Sequence, residues 1–255
     1  MKKILFFETN VFTGATRVTR TLAKAAKDKY QVAFAQVGDK VEEEIESAIE
    51  KEIPDILFSS FITINPAVIR IGKERGLYVI VRNDYNFFDV PDEIKLQAIK
   101  TYSCADEIIV QSAEMRQDLL DSIGLDPDKI RVVENPLDKE DILEKSKAPN
   151  PFSDAEHFHY LWVGRKDPIK DLPTLQKAFE IVHTQYHETD LTLVLDDPNP
   201  YRWMKNADCI VISSKSEASP NVLREALFLG KPVIATDCSP TVRDLIPTSC
   251  IVPVG

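Results

Sequence analysis

The sequence is short of positive charge. Its 255 residues hold 31 Lys and Arg against 41 Asp and Glu, a formal net charge of -10. A surface of that sign lacks the basic footprint that broad nucleic-acid binding or unspecific attachment to an anionic bilayer requires, although a local basic patch is compatible with it. No apolar run approaches the roughly 18 residues of a membrane span. Cysteine is sparse: Cys104, Cys209, Cys238 and Cys250 show no C-x-x-C pair. Three of them fall in or beside strand-like runs, so buried reduced thiols are expected rather than disulfides or a metal set. Histidine occurs only between His157 and His187. His183 and His187 have the spacing of a zinc pair on one helix, but no third ligand accompanies them, and a solvated helix face is the expectation. The opening MKKILFFETN is basic, yet its apolar run stops at Phe7 and Glu8 follows. It reads as a first strand and not a secretory signal, so a cytoplasmic protein is expected. The glycine-rich dinucleotide fingerprint is also missing, since TNVFTGATRVTR offers only Gly14 at the turn into a helix.

What the chain does have is regular alternation. Strand-like runs at 4–7, 31–35, 56–59, 78–81, 107–110 and 130–133 are separated by helical patterns after Thr13 and at 42–51, 66–75, 94–103 and 113–123, the last stopped by Gly124. Such βαβ alternation predicts a parallel, doubly wound α/β sheet. Apolar periodicity is lost over 139–157, where Pro, Ser and charge gather, and it returns at FHYLWVG, followed by helices from Leu172 and around 201–206 and a strand at 191–195. The length and a hydrophobic content of 44% suit two domains with their own cores. The expected division is a first domain over 1–140, a linker over 141–157 and a second domain over 158–255.

The most informative stretch is ADCIVISSKSEASPNVLREALFLGKPVIATD, Ala207 to Asp237. Two buried strands, 209–213 and 232–236, flank one punctuated helix over 220–229, with Ser219 as N-cap, Pro220 in the first turn and Gly230 ending it. Glu217 stands just before that helix and Glu225 inside it. In an open α/β sheet this is the ligand-binding edge. A helix start suits a phosphate, carboxylates suit sugar hydroxyls, and together they point to a nucleotide sugar; alone, the two glutamates would be solvated surface charge. Arg165 and Lys170, after the FHYLWVG strand, are placed where cations close over a diphosphate. Asp126 and Asp128 form a D-x-D, but they bracket Pro127 after a helix-ending glycine, so a capped turn is expected there and no metal site.

The Ala207–Asp237 stretch closely resembles the donor-site signature of retaining glycosyltransferases of family 4, which have the B-type (GT-B) fold. ADEIIVQSAEMRQDLLDSIGLDPDKIRVVENPLD, from Ala105 to Asp138, and the Arg165/Lys170 pair are similar to two further motifs of that family, in the same order. The resemblance implies two Rossmann-like domains facing a cleft, with an interdomain hinge at Asn135, Pro136 and Asp138. The first domain would be the acceptor side and the second would bind the nucleotide sugar. It assigns Glu217 to the transferred sugar and Glu225 to the ribose. Gly14, Arg165, Lys170 and the helix start Ser219, Pro220, Asn221 and Val222 are assigned to the donor. Where the family often carries a histidine after its fourth strand, this chain reads VRNDYNFF, which puts Asn83 and Asp84 at the reacting end. It also lacks the strand and loop that usually contact the nucleobase after Asp197, and it stops at IVPVG without trailing helices, so the resemblance is to a shortened form. The implied function is metal-independent hexosyl transfer with retention, in glycan or polysaccharide biosynthesis. No cofactor is implied besides the donor substrate. The implied acceptor is a glycan or a lipid-linked molecule, nucleic acid is not a partner, and peripheral membrane contact stays open. The alternatives are a non-catalytic sugar-nucleotide-binding module and a nucleotide-sugar epimerase on the same fold.

Overall fold

This computed structural model describes residues 1–11, 13–85, 90–153 and 156–255, and it divides into two compact units, Met1–Pro136 and Leu137–Gly255. Positions 86–88 of the VRNDYNFF stretch and 154–155 of the expected linker lie outside the described residues.

The first unit alternates without exception: β1 (Lys3–Thr9), α1 (Gly14–Ala26), β2 (Gln31–Val37), α2 (Val41–Glu52), β3 (Ile56–Ser59), α3 (Asn65–Glu74), β4 (Tyr78–Arg82), α4 (Asp92–Thr101), β5 (Glu107–Val110), α5 (Ala113–Ile123) and β6 (Ile130–Val132). The strands pair in parallel in the order β2-β1-β3-β4-β5-β6. Each strand is short and apolar because helices cover both faces of a parallel sheet. Ile4, Phe6, Ile56 and Phe58 bury one face against Ala23 of α1. Local signals set the helix limits. Thr13 and Thr16 form a reciprocal capping box at the start of α1, and Ser112 caps α5, which ends at Gly124 with φ 71°. The order reverses between β1 and β3, so the topological switch point, where open α/β sheets bind ligands, lies at their C-terminal ends.

The second unit contains α6 (Lys139–Ser146), β7 (Phe158–Gly164), α7 (Leu172–Gln185), β8 (Thr189–Leu195), α8 (Tyr201–Asn206), β9 (Cys209–Ile212), α9 (Asn221–Phe228), β10 (Val233–Thr236), α10 (Pro240–Leu245) and β11 (Ile251–Val252), with the parallel order β11-β10-β9-β7-β8. Its core joins Leu161, Ile210, Leu223, Ala226, Val233 and Ala235. Here the order reverses between β7 and β9. The expected linker is partly structured: α6 begins at Lys139, capped by Asp138, and Ile142 and Phe152 join this core. Apolar residues too widely spaced to show periodicity still bury in the core of their own unit.

Several local expectations are corrected. α7 ends at Gln185, so His187 lies beyond it, and His183 Nδ1 meets the Thr189 carbonyl at 3.1 Å. The four thiols are free, and Cys209 and Cys238 are buried as expected, but Cys104 is exposed on the 3-10 turn Tyr102–Cys104 and Cys250 is half-buried. Burial pushes the Cys238 thiol up to about 11. Asp126 accepts from the Asp128 N–H at 2.9 Å and caps the turn that follows, as its bracketing of Pro127 predicts.

Gly164 ends β7 because nothing larger fits. A Cβ there would lie 2.8 Å from the ring of Trp162, which is 2% exposed. Gly164→Ala is therefore expected to destabilise the protein by about 1–3 kcal/mol through overpacking. The urea midpoint measures this, and an unchanged midpoint would show that the indole yields.

Candidate functional site

The residues after β7, β9 and β10 are stitched together at the switch point of the second unit. Asp167 caps the 3-10 turn Pro168–Lys170, accepting from the Ile169 N–H at 3.0 Å, and Asp171 in the left-handed region (φ 47°) turns the chain into α7. Two bonds then tie this loop to the one after β9: the Lys215 N–H donates to the Ile169 carbonyl at 2.7 Å, and the Ser213 hydroxyl to the Lys170 carbonyl at 2.7 Å. The loop after β9 is fixed in turn by β10, since Thr236 donates to the Ser214 carbonyl at 2.5 Å and the Glu217 N–H donates to the Cys238 carbonyl at 2.9 Å.

This scaffold brings Lys170 and Glu217 into direct contact. The Lys170 ammonium donates to Glu217 Oε1, and the Ser214 hydroxyl donates to the same oxygen at 2.6 Å. Both side chains are partly exposed, at 22% and 15%, so the pair faces outward. Arg165 lies on the same edge, 42% exposed, with Asp167 3.9 Å from its guanidinium. An ion pair that is neither deeply buried nor fully solvated can exchange its internal partner for an anion at little cost.

The helix start departs from its signature. α9 begins at Asn221 with Pro220 as N-cap and no side-chain cap, while the Ser219 hydroxyl is 3.5 Å from that of Thr241. The same Ser-Pro signature at Ser239-Pro240 does produce a cap, with Ser239 accepting from the Val242 N–H at 3.3 Å. The positive dipole end of α9 is suited to a phosphate. Val222 packs against the core rather than facing the edge. Glu225 is 1% exposed, and the Tyr201 hydroxyl donates to its Oε1 at 3.2 Å.

In the first unit, Gly14 is the first residue of α1, and Asn83 and Asp84 follow β4. Asn83 is committed internally: it is 1% exposed, accepts from the Tyr102 hydroxyl at 3.3 Å and donates to the Tyr85 carbonyl at 2.7 Å. Asp84 is half-buried and accepts from the Ile62 N–H at 3.2 Å.

Sequence reasoning missed Ser214, Tyr201 and Asp197. Ser214 follows the apolar run of β9 on the ligand-binding edge, a signal that was available; Tyr201 carried none, since only packing places it on Glu225. Asp197 anchors α8 through the Trp203 indole at 3.0 Å, Arg202 at 3.3 Å and the Asn199 N–H at 2.7 Å. Burial opposes its charge, but these donors win and hold its carboxyl below the usual range.

Residues 151–255 match the family model described as glycosyl transferases group 1. An uncharacterised glycosyltransferase of Methanocaldococcus jannaschii is 27% identical over 176 residues, 57% of this chain and 43% of that protein. A Campylobacter jejuni N-acetylgalactosamine-N,N'-diacetylbacillosaminyl-diphospho-undecaprenol 4-alpha-N-acetylgalactosaminyltransferase is 26% identical over 166 residues, 56% of this chain and 45% of the relative. The alignments thus span less than half the length of these curated relatives. Among solved structures, Anabaena Alr3699/HepE in complex with UDP-glucose superimposes with a TM-score of 0.77 at 14% identity, over 100% of this chain and 86% of that one. The fold class is therefore the one expected, α/β of GT-B type built from two Rossmann-like parallel-sheet units, and the match to the group 1 glycosyl transferase model falls within the second unit.

Proposed function

We propose that the protein transfers a sugar from a nucleotide-diphosphate sugar to an acceptor, as a family 4 type enzyme with retention of anomeric configuration. The observation that carries this reading is the Lys170–Glu217–Ser214 cluster in the loops that lead into α7 and α9, within the segment that matches group 1 glycosyltransferases. Arg165, Lys170 and the first turn of α9 (with Ser219, Pro220, Asn221 and, through its backbone only, Val222) bind the diphosphate, Glu217 the transferred sugar and Glu225 the ribose. Gly14 and Asp84 act from the first unit, and Asn83 supports Asp84 through the backbone. The acceptor is a glycan or a lipid-linked molecule and the pathway is glycan or polysaccharide biosynthesis, in keeping with what the Campylobacter relative's name says of that protein. Among the described residues no helix is long and apolar enough to cross a membrane. We place the enzyme in the cytoplasm, with any membrane contact peripheral.

The mechanism follows from charge. Departure of a nucleoside diphosphate leaves oxocarbenium-like charge on the sugar and negative charge on the phosphates, which the two cations and the helix dipole stabilise. On this reading no metal is required. Turnover with a panel of nucleotide sugars is expected to persist after exhaustive chelation, with the product's anomeric centre unchanged by NMR. An absolute need for magnesium or manganese, or an inverted product, would reject it. Conversion of the donor without acceptor would indicate epimerisation instead, and tight donor binding without turnover a binding module.

A further inference from the structure

The turn that carries Asp84 leaves β4 through a set of polar side chains sealed inside the first unit. Asn65 at the start of α3 and Tyr102 on the 3-10 turn after α4 are each 0% exposed, Asn83 is 1% and Arg82 4%. Hydrogen bonds connect them into one chain. The Asn65 amide donates to the Arg82 carbonyl and to the Tyr102 hydroxyl, both at 3.1 Å, and that hydroxyl donates to Asn83 Oδ1 at 3.3 Å. The Asn83 amide then donates to the Tyr85 carbonyl at 2.7 Å, a bond that spans Asp84. Burial raises the Tyr102 phenol well above its usual range, so it stays protonated and remains a donor at every working pH.

Two further contacts reach Asp84 itself. The Ile62 N–H donates to Asp84 Oδ1 at 3.2 Å, and the Arg82 guanidinium, which donates to Asn135 Oδ1 at 2.5 Å, is attracted by the Asp84 carboxylate. Burial lowers that guanidinium to about 10 and Asp84 opposes the shift, which leaves it cationic at neutral pH. The bonds of this network thus converge on residues 82–85, on both sides of Asp84. The Tyr102 ring alone fills its site; what the hydroxyl adds is direction, because buried hydrogen bonds fix an orientation that apolar packing leaves less defined.

We infer that Tyr102 and Asn65 are positioning residues for Asp84, holding the exit of β4 in the one geometry that presents its carboxylate at the edge of the first sheet. They touch no substrate and act only through the turn. The inference rests on the transferase reading in one respect, since that reading makes Asp84 a group of the reacting end.

The test uses the full chain and Tyr102→Phe, which removes one hydroxyl and keeps the ring. Its first readout needs no turnover. The Ile62 amide reports whether the Asp84 carboxylate is in place, and in the variant it should exchange with deuterated water at least about tenfold faster, while amides inside β3 and β5 keep their rates. In turnover with a panel of nucleotide sugars, kcat should fall at least about fivefold with donor KM and UDP affinity unchanged, a split that general loosening of the fold would not give. In an Asp84→Ala background the same substitution should lower kcat no further, since the residues act as one unit. Asn65→Ala, which removes both of its bonds, is the second variant should the first fold poorly. Unchanged exchange at Ile62, a Tyr102→Phe enzyme as fast as the parent, or losses that add in full across the double variant would overturn the inference. A parent that turns over no donor would refute the proposed function instead, and the Ile62 exchange rate would still decide whether Tyr102 holds Asp84.

Discussion

Glu217→Gln is expected to lower turnover at least about tenfold, roughly 1.4 kcal/mol of barrier, while nucleoside diphosphate affinity stays level or rises. Glu217 is the acceptor of two hydrogen bonds, from Lys170 and Ser214, on a scaffold fixed by β9 and β10. A carboxylate held in this way can grip the hydroxyls of a sugar and oppose the positive charge that develops on it. Gln keeps the shape and removes the charge, so the loss should appear in kcat more than in donor binding. The same substitution relaxes the hold on the Lys170 ammonium, which is then easier to redirect to a phosphate; hence affinity should not fall. Steady-state kinetics alongside calorimetry with UDP separates the two effects, and a variant as fast as the parent would remove Glu217 from the reacting end.

Arg165→Ala and Lys170→Ala should each weaken nucleoside diphosphate binding by about ten- to a hundredfold, the equivalent of the 1.5–3 kcal/mol attached to a hydrogen bond with a charged partner. Arg165 is partly exposed with only a 3.9 Å contact to Asp167, so little internal structure depends on it and its loss should fall on ligand binding. Lys170 is different. Its removal also leaves Glu217 without its cation, adding a repulsive carboxylate near the phosphates, and the larger loss is expected there. The nucleoside, which lacks the diphosphate, should be insensitive to both changes in the same titration. Equal losses for nucleoside and diphosphate would show that these residues act through folding.

The fold was legible in the chain to an unusual degree, and for a local reason. Strands buried on both faces must be apolar along their whole length, and helices between them carry punctuation such as Ser112 and Gly124 around α5, so β3, β5, α5 and α8 coincide with their sequence-derived limits. The failures are equally instructive. α6 was read as linker because its few apolar residues show no period, and only the second core at Ile142 explains why the segment is helical. Ser219 and Ser239 each precede a proline, yet Ser239 caps its helix while the N-cap of α9 is Pro220, since capping depends on a rotation of the chain that the dipeptide does not encode.

The sequence by itself determined the alternation of elements, the parallel character of both sheets and the edge on which Arg165, Lys170, Glu217 and the start of α9 would appear, because each follows from hydrophobic period, helix punctuation and position relative to a strand end. Tertiary structure alone decided which of these side chains meet. The Lys170–Glu217 contact joins loops 47 residues apart, Tyr201 reaches Glu225 across 24, and Arg82 reaches Asn135 across 53. It also turned Asn83 inward onto Tyr102 and brought Asn65 to the same hydroxyl. Such pairings depend on strand order and register, which are set by the packing of whole sheets against helices and leave no mark in the local sequence of either partner.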